Sequence, residues 1–506
     1  MKIRKYLIPA LSVLALASCN YEKINTNIYG VTEEEMKQGG LLYGAPFLDM
    51  QKLVIPIGSP TESTGPGNDL ANTDIMSAGN YIGYWGMNNN WNFNTEATWN
   101  FTDGRMSYAY QNFYSKLFRA WNDIYKHTKE SEDPADKEVQ AVANIVKVMG
   151  WLRATDVFGP IVYTNAGNGD IAPKLDAQDK VYKAMLADLK EASQVLGGTA
   201  TKVLSSYDVI YDGNPQNWTR LANSLMLRMA VRVHFKDMEL AKEYVTYALD
   251  PSHGGVIENM AQEAKIQSTD KLPLMNSMLP TVEDYGECRM GATIWAYMQG
   301  YKDPRLASYF TTVSGSRFVA LPPTNNNPLN DRAKDGASKP KVSAASPLFW
   351  LRASEVSFLK AEAALYQLTA GDPKALYEAG IRASFDFQAT YHTAVSGVDD
   401  YINSAKVTLS GDKDTAIKQI VMQRFLAGFM TDGIESWSDW RRYNIPVLPI
   451  YEGQTDNGVE VYPYRLSYAD TDKQYNVTNS QEAIDKYLNG NDGMWERVWW
   501  DVADNI

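Results

Sequence analysis

Apolar side chains recur at helical spacing along much of this chain, and this periodicity limits the fold more than any other sequence feature. From residue 110 to residue 125 they mark one face over four turns: Tyr110, Phe113, Tyr114, Leu117, Phe118, Trp121, Ile124 and Tyr125. Such a stripe predicts an amphipathic helix. A second stripe starts after Pro134 and stops at Gly159 and Pro160, which end helices. Because only a short polar connection joins the two helices, we expect them to pack antiparallel.

The same helical spacing returns in later parts of the chain. The segments are residues 181–196, 218–235, 238–249, 354–368 and 374–387. The last two carry small residues where helices would approach closely, and together they resemble a tetratricopeptide helix pair. The intervals between pairs are irregular. We therefore predict a mainly α fold with few short strands, in which helical hairpins form one scaffold and not a free-standing solenoid.

Two long segments lack this periodicity. Residues 56–102 are rich in Gly, Asn, Thr and Trp, and residues 311–347 are rich in Pro, Asn, Ser and Lys. Long irregular segments in a compact protein often carry function. The first segment also carries several aromatic residues, so we expect it to be ordered.

The first 18 residues have the layout of a secretory signal peptide. Three cations lie within the first five positions, and a mostly apolar run follows at residues 6–17. The run is too short for a permanent anchor, since spanning a bilayer takes about 20 apolar residues. Residues 16–19 read Leu-Ala-Ser-Cys and resemble the lipobox of bacterial lipoproteins. We expect cleavage after Ser18, a lipid on Cys19 and a single folded domain over residues 19–506, the alternative being an ordinary signal peptide with an incidental cysteine.

Composition argues against several function classes. The net charge of −12 opposes binding to the phosphate backbone of a nucleic acid. Once Cys19 is lipidated, Cys288 has no partner for an internal disulfide, so stability has to come from packing. The histidines lack the spacing of metal ligands, and we find neither a nucleophile elbow nor a phosphate-binding glycine loop. We expect no cofactor, although the 60 acidic residues leave a calcium site or a catalytic carboxylate pair open.

Aromatic and amide side chains alternate in residues 80–94, a pattern that suits sugar binding. Pyranose rings need flat apolar surfaces, and their hydroxyls need amide or carboxylate partners. Tyr84, Trp85 and Trp91 would supply the surface, while Asn68 and Asp69 could turn toward the same face. The alternative is that each aromatic ring pins the segment onto the scaffold.

A second candidate cluster for ligand binding comprises Tyr285, Trp295 and Tyr297. Trp295 and Tyr297 are two residues apart, so they would share a face in a strand and diverge in a helix. Packing in the core is the alternative, and we favour it for Trp295.

Acidic and basic residues concentrate in residues 432–442, among Trp437 and Trp440. Two of these carboxylates could flank a glycosidic bond, as in glycoside hydrolases. A structural network of ion pairs clamped by the tryptophans explains the same residues. We favour the network, because structural ion pairs also perturb carboxylates.

Seven motifs follow one another along the chain: the lipobox at Cys19 and residues 113–125, 151–163, 218–228, 303–306, 352–363 and 435–443. Taken in this order, they resemble the SusD/RagB family of outer-membrane nutrient-uptake lipoproteins of Bacteroidetes, in its SusD-like branch. Each motif is weak alone, but their order and spacing together are specific. The resemblance covers nearly the whole chain.

The resemblance implies a SusD-like helical scaffold with tetratricopeptide-like helix pairs on one side and a loop-built ligand face on the other. It implies a surface-exposed lipoprotein of the outer membrane that captures a nutrient glycan, or in some branches a peptide. The ligand would pass to a SusC-like TonB-dependent transporter without chemistry by the lipoprotein itself. An extracytoplasmic glycoside hydrolase and a purely structural partner of the transporter remain alternatives.

Overall fold

The computed structural model describes residues 31–38, 40–86, 99, 101–270, 272–285, 288–322, 336–431, 433–449, 455–456, 459–460 and 462–502. The predicted signal peptide, Cys19 and Trp91 lie outside these residues. The described chain is mainly helical, as its periodicity predicts. No helix in these ranges is long and apolar enough to cross a membrane.

The first half of the chain contains most of the long helices. They are α1 (Glu33–Gln38), α2 (Gly44–Val54), α3 (Thr64–Leu70), α4 (Ala78–Tyr81), α5 (Asp103–Tyr110), α6 (Lys116–Thr128), α7 (Pro134–Phe158), α8 (Gln178–Gly197), α9 (Pro215–Val233) and α10 (Met238–Leu249). A π-helical turn at Ala71–Ile75 extends α3, and another at Gln111–Ser115 joins α5 to α6. The stripe predicted from residue 110 therefore belongs to one continuous helical stretch.

The second half of the chain is also mainly helical. Its helices are α11 (Met278–Glu283), α12 (Ala292–Tyr301), α13 (Leu306–Tyr309), α14 (Ala353–Leu365), α15 (Pro373–Tyr391), α16 (Val398–Ile402), α17 (Lys413–Gly428), α18 (Gly433–Tyr443), α19 (Asp470–Gln474) and α20 (Val477–Tyr487).

The strands of the described chain are short and form antiparallel pairs. These pairs are β1 (Trp85–Gly86) with β3 (Arg289–Met290), β2 (Ala264–Ile266) with β4 (Leu348–Leu351), and β5 (Thr455–Asp456) with β6 (Val459–Glu460). The prediction of few short strands is confirmed.

Local sequence sets the ends of several long helices. Asp133, Asn214 and Asp372 each cap the helix that follows, because the side chain accepts hydrogen bonds from N–H groups of the first turn. Each cap is followed by a proline, which has a suitable φ and no N–H to leave unpaired. At the other end of α7, Gly159 adopts a φ of 84°, a conformation that favours glycine.

Helices that follow one another pack as hairpins. Helix α7 contacts α6 and α8, α9 contacts α8 and α10, and α14 contacts α15. In the last pair, a Cβ on Gly380 would lie 2.7 Å from the ring of Phe358, so glycine permits the close approach. The predicted helix pairs are confirmed.

The segment at residues 56–102 is more regular than the sequence suggests. Up to Gly86 it contains α3, a π-helical turn, α4 and β1. These elements span only two to seven residues each, too few to display an apolar period. By contrast, the described parts of residues 311–347 carry no helix or strand, as predicted.

A buried ion-pair network joins α7, α9, α14, α17 and α18. Its members are Asp156, Arg228, Arg232, Glu355, Glu362, Arg424, Glu435, Asp439 and Arg442. Arg228 donates to both carboxylate oxygens of Glu355, at 2.7 and 2.8 Å. Arg232 bridges Asp156 and Glu435.

The ion pairs form two groups that share α14 and α18, and Glu362 belongs to the group that also contains Arg424, Asp439 and Arg442. Glu362 is fully buried. Arg424 lies 2.9 Å from one of its oxygens, while Arg442 and the hydroxyl of Tyr443 bind the other. Burial alone would raise the pKa of Glu362, but Arg442 and Arg424 lower it to about 2. The carboxylate is therefore ionised and compensates two buried cations.

We expect Glu362→Gln to destabilise the fold by about 3–5 kcal/mol, because removing one partner leaves buried charge uncompensated. The folded pKa lies below the ordinary value of 4.5. The stabilisation from Glu362 is therefore complete above pH 4.5 and is lost as the pH falls toward 2. Urea unfolding between pH 7 and pH 3 measures both effects, and the variant should lose less stability on acidification than the parent.

The matched control is Glu482→Gln, since Glu482 forms an exposed ion pair with Lys486. It should leave the unfolding midpoint almost unchanged. Equal losses in the two variants would contradict the central role of Glu362.

Candidate ligand-binding site

Helix α12 carries two of the predicted site residues and is anchored at its first turn by β1. Trp85 pairs with Met290 in the β1–β3 ladder, directly before α12 begins. The N–H of Gly291 donates to the carbonyl of Tyr84 at 3.0 Å, and the N–H of Ile294 donates to that of Gly83 at 3.2 Å. These bonds satisfy amide groups at the start of the helix, which have no partner within it.

Two glycines, Gly83 directly before β1 and Gly86 in β1, permit close packing at the start of this helix. Gly83 adopts a φ of 72°, and a Cβ there would lie 2.3 Å from the hydroxyl oxygen of Thr293. A Cβ on Gly86 would meet the backbone oxygen of Leu321 at 2.2 Å. Gly86 of residues 56–102 and Leu321 of residues 311–347 thus meet next to α12, whose first residue, Ala292, donates to the carbonyl of Leu321 at 2.9 Å.

Trp295 lies on the outer side of α12 with 36% of its surface exposed. The sequence favours packing of Trp295 in the core, but its exposure shows that the ring is not buried there. Gln299 is also exposed and lies four residues further on, so it shares the face of Trp295. This face combines a large apolar ring with an amide.

Tyr297 points away from Trp295, as the helical alternative predicts. It is half-buried, and its hydroxyl accepts a hydrogen bond from the N–H of Val447 at 2.9 Å. Burial raises the pKa of Tyr297, so the hydroxyl stays protonated and can donate. The bond ties α12 to the segment that follows α18.

Tyr84 and Trp85 lie in the core, each about 1% exposed. The ring of Tyr84 stacks on Phe425 with centroids 4.7 Å apart, and Trp85 contacts Phe429 at 5.0 Å. Neither ring offers a face to a ligand, because both are covered by side chains of the scaffold. Both side chains therefore pack onto the scaffold, which is the alternative to ligand binding given above, and their backbone supports α12. Trp91 lies outside the described residues.

Asn68 and Asp69 meet at the hydroxyl of Tyr108. This hydroxyl donates to Asp69 Oδ1 at 2.5 Å and accepts from Asn68 Nδ2 at 3.2 Å. Lys116 Nζ donates to Asp69 Oδ2 at 3.0 Å. Burial, followed by the bond to Asp69, raises the pKa of Tyr108. The four side chains form a polar cluster in which Asn68 is exposed.

A cleft of about 720 Å³ lies beside this cluster and includes Asp69 and Lys116 in its wall. Apart from Gly58 and Ser59, the remaining lining is aliphatic or charged, with Pro46, Pro66 and Leu274 among it, and none of the described lining residues is aromatic. The cleft therefore supplies hydrogen-bonding groups without a flat surface for a sugar ring.

Tyr285 belongs with the polar cluster more than with α12. It is half-buried, and its hydroxyl donates to the carbonyl of Thr64 at 3.1 Å, at the start of α3. Helix α3, which carries Asn68 and Asp69, packs against α11, and the chain runs from α11 through Tyr285 and β3 to α12. The structure thus forms two groups, one polar on α3 and one aromatic on α12, joined by a short stretch of chain.

Sequence reasoning missed several residues of these groups. Tyr108 lies in a helix with little apolar periodicity, and its partner Asp69 is 39 residues away. Gln299 follows Trp295 by four residues, a spacing that predicts a shared face once the segment is taken as a helix.

Carboxylates of residues 432–442 do not form an accessible pair. Burial would raise the pKa of Glu435, but Arg228 and Arg232 lower it. The cavity at Glu435 and Asp439 has a volume of about 30 Å³, which accommodates about one water molecule and no sugar. The structural-network interpretation is thus confirmed for the described residues, with Asp432 outside them. In the described chain, no cluster of three or more His, Cys, Asp or Glu residues could hold a metal ion.

Comparisons with known proteins agree with this architecture. A family model, SusD-like, described as Susd and RagB outer membrane lipoprotein, matches residues 23–415 and 405–501. No curated protein matches the chain. The solved structure of BT1043 is 46% identical and covers 92% of this chain and 99% of its own, with a TM-score of 0.85.

Two further solved structures are more distant in sequence. A SusD homolog from Bacteroides uniformis is 28% identical, with 91% of this chain and 99% of its own covered and a TM-score of 0.79. A chitin-binding SusD homolog from Flavobacterium johnsoniae is 26% identical, with the same coverage and a TM-score of 0.81. The family match spans nearly the whole chain, and the fold agrees with it: this chain belongs to the SusD-like family of outer membrane lipoproteins.

Proposed function

We propose that this protein binds a nutrient oligosaccharide at the cell surface and delivers it to a SusC-like TonB-dependent transporter without catalysing a reaction. The observation that carries the proposal is the exposed ring of Trp295 on a helix fixed by β1 and β3. The face of an aromatic ring is electronegative and attracts the C–H groups of a pyranose. The likeness to a chitin-binding homolog supports a glycan as the ligand class.

Polar groups around Trp295 would supply the hydrogen bonds that a sugar needs. In this proposal Gln299 bonds the sugar unit on the ring, while Tyr297 positions α12 through its bond to Val447. Asn68, Asp69 and Tyr285 bond a further part of the same oligosaccharide. A ligand contact by Trp91, which lies outside the described residues, stays a prediction. The confinement of Glu435 and Asp439 to the ion-pair network supports a role in binding without cleavage.

The proposal includes cleavage of the signal peptide after Ser18 and a lipid on Cys19. The family description as an outer membrane lipoprotein supports it. A single domain after Cys19 is supported by a hydrophobic core cluster whose members run from Tyr43 to Trp500.

Replacing Trp295 with alanine tests the aromatic platform. We expect Trp295→Ala to weaken the affinity for the bound oligosaccharide about ten-fold, equivalent to about 1.4 kcal/mol, because the stacking surface is lost. Calorimetric titration of the chain without its first 19 residues against plant, host and microbial oligosaccharides, including chito-oligosaccharides, measures the change.

The matched control for this variant is Trp495→Ala, which removes another exposed tryptophan, 49% exposed, near the end of the described chain. It should bind like the parent. Unchanged affinity in a folded Trp295→Ala variant would remove the platform from the account, and saturable binding of peptides alone would replace the glycan with a peptide.

Replacing Cys19 tests the anchor. We expect Cys19→Ala to move the protein from the membrane fraction to the soluble fraction, since each buried acyl methylene contributes about 0.8 kcal/mol to anchoring. Detergent phase partition of cell extracts measures the distribution, with Cys288→Ala as the control that keeps the anchor. Retention of the Cys19→Ala variant in the membrane fraction would contradict lipid anchoring at this residue.

A further inference from the structure

Helices α6, α7 and α8 enclose a second pocket, and none of its lining residues belongs to the proposed site. Its volume is about 410 Å³, within the range of about 300–1,000 Å³ that small-molecule sites occupy. The space exists because small side chains face it, namely Ala141 on α7 and Ala184 and Ala192 on α8.

Aromatic residues of α6 form one wall of this pocket. Trp121 and Tyr125 stack with ring centroids 4.4 Å apart and an interplanar angle of 19°. Trp121 is buried, whereas Tyr125 is half-buried. A Cβ on Gly167 would lie 3.0 Å from the Tyr125 ring, so the backbone supports this ring closely. Because Trp121 covers one face of Tyr125, only the opposite face of this ring is left for a ligand. Lys129 Nζ also lies over the Tyr125 ring, 5.9 Å from its centroid.

Lys147 occupies the base of the pocket, but it is not a free cation. Its Nζ donates to Asp188 at 2.7 Å and lies over the rings of Trp121 and Tyr163, at 4.7 and 4.5 Å from their centroids. Asp188 also accepts from the hydroxyl of Tyr163 at 2.6 Å. Because this pair is neutral and fixed, it favours no anion.

Asn144 has a hydrogen-bonding direction left for a ligand. Its Oδ1 accepts from the indole N–H of Trp121 at 3.0 Å. An indole nitrogen can only donate, so this bond fixes the orientation of the amide and leaves Nδ2 as a donor. Gln140 and Glu191 also line the pocket, and their side chains bond to none of the described residues.

The charges of the lining balance. Three lysines, Lys129, Lys137 and Lys147, are matched by three carboxylates, Glu132, Asp188 and Glu191. A site without net charge gives no electrostatic advantage to a charged ligand. Together, the flat aromatic wall, the free amides and the balanced charge fit an uncharged molecule that has both a C–H face and hydroxyl groups.

We propose that this pocket is a second saccharide-binding site, which takes one neutral pyranose unit against Tyr125 and bonds it through Gln140, Asn144 and Glu191. It lies among the helix pairs and not on α12. The inference goes beyond the proposed function, because it adds a site that can bind sugar whether or not Trp295 does.

Filling the pocket tests this site without removing any hydrogen bond. Ala184 lines the pocket, whereas Ala187 is on the same helix, exposed and outside the lining. We therefore compare Ala184→Trp with Ala187→Trp, each made both in the parent and in the Trp295→Ala background. The probes are glucose, galactose, N-acetylglucosamine and N,N′-diacetylchitobiose, and the measurement is calorimetric titration.

The expected result is saturable binding of at least one probe that survives Trp295→Ala. Ala184→Trp should weaken that binding at least ten-fold, and Ala187→Trp should leave it unchanged. The double variant Gln140→Ala with Glu191→Ala should give the same loss, and it carries the test if circular dichroism shows that Ala184→Trp does not fold.

Two results would overturn the second site. One is the absence of any saturable binding in the Trp295→Ala background. The other is equal affinity in the Ala184→Trp and Ala187→Trp variants. The two proposals can fail separately. If only Trp295→Ala removes the binding, the α12 platform is supported and the pocket is not. If only Ala184→Trp removes it, the pocket is supported and the platform is not.

Discussion

The buried ion-pair network is the constraint on which the rest of the structure depends. Placing arginines and carboxylates in a core is costly unless each charge has a partner close by, and here each guanidinium contacts at least one carboxylate of another helix. The network therefore disfavours any arrangement of α7, α9, α14, α17 and α18 that would separate these partners. From α18 the arrangement continues outward, because Ser436 bonds to the hydroxyl of Tyr84 at 2.7 Å and the N–H of Gly433 donates to Asp74 at 2.7 Å. Tyr84 precedes β1, and β1 holds the first turn of α12. A continuous series of contacts thus connects the charged core to the exposed ring of Trp295.

Long helices were the predictable part of this fold. Helix α7 starts at Pro134 and ends before Gly159, as the sequence indicates. Both ends are set by local signals: a proline directly after the capping residue Asp133, and a glycine with positive φ. The network at residues 435–442 was also predictable, since alternating charges among tryptophans in one helix are typical of structural ion pairs. Short elements were not predictable. A four-residue helix such as α4 and a two-residue strand such as β1 are fixed by contacts with distant parts of the chain and leave no period of their own.

The same limit explains the outcome for the candidate site. A tryptophan that binds a ligand and a tryptophan that packs in the core can have the same sequence neighbours, namely glycines and asparagines. Trp85 is covered by scaffold side chains such as Phe429, a contact between residues more than 300 positions apart. Trp295 is exposed because, among the described residues, α12 is buried on the side that carries Ile294 and Met298, which composition does not reveal. The pocket between α6 and α8 was missed for another reason: its aromatic residues belong to the helical stripe, and only the small residues opposite them leave the space open.

Both proposed sites share one physical character: an aromatic surface beside amide and carboxylate groups that can bond sugar hydroxyls. The central claim is that the protein binds a neutral glycan and leaves it intact. The most direct test is titration of the chain without its first 19 residues against a panel of neutral oligosaccharides, with chromatography of the sugars recovered from the same samples. The account predicts saturable binding of at least one oligosaccharide that is recovered at its original length. Recovery of shortened products, or the absence of binding across the panel, would contradict it.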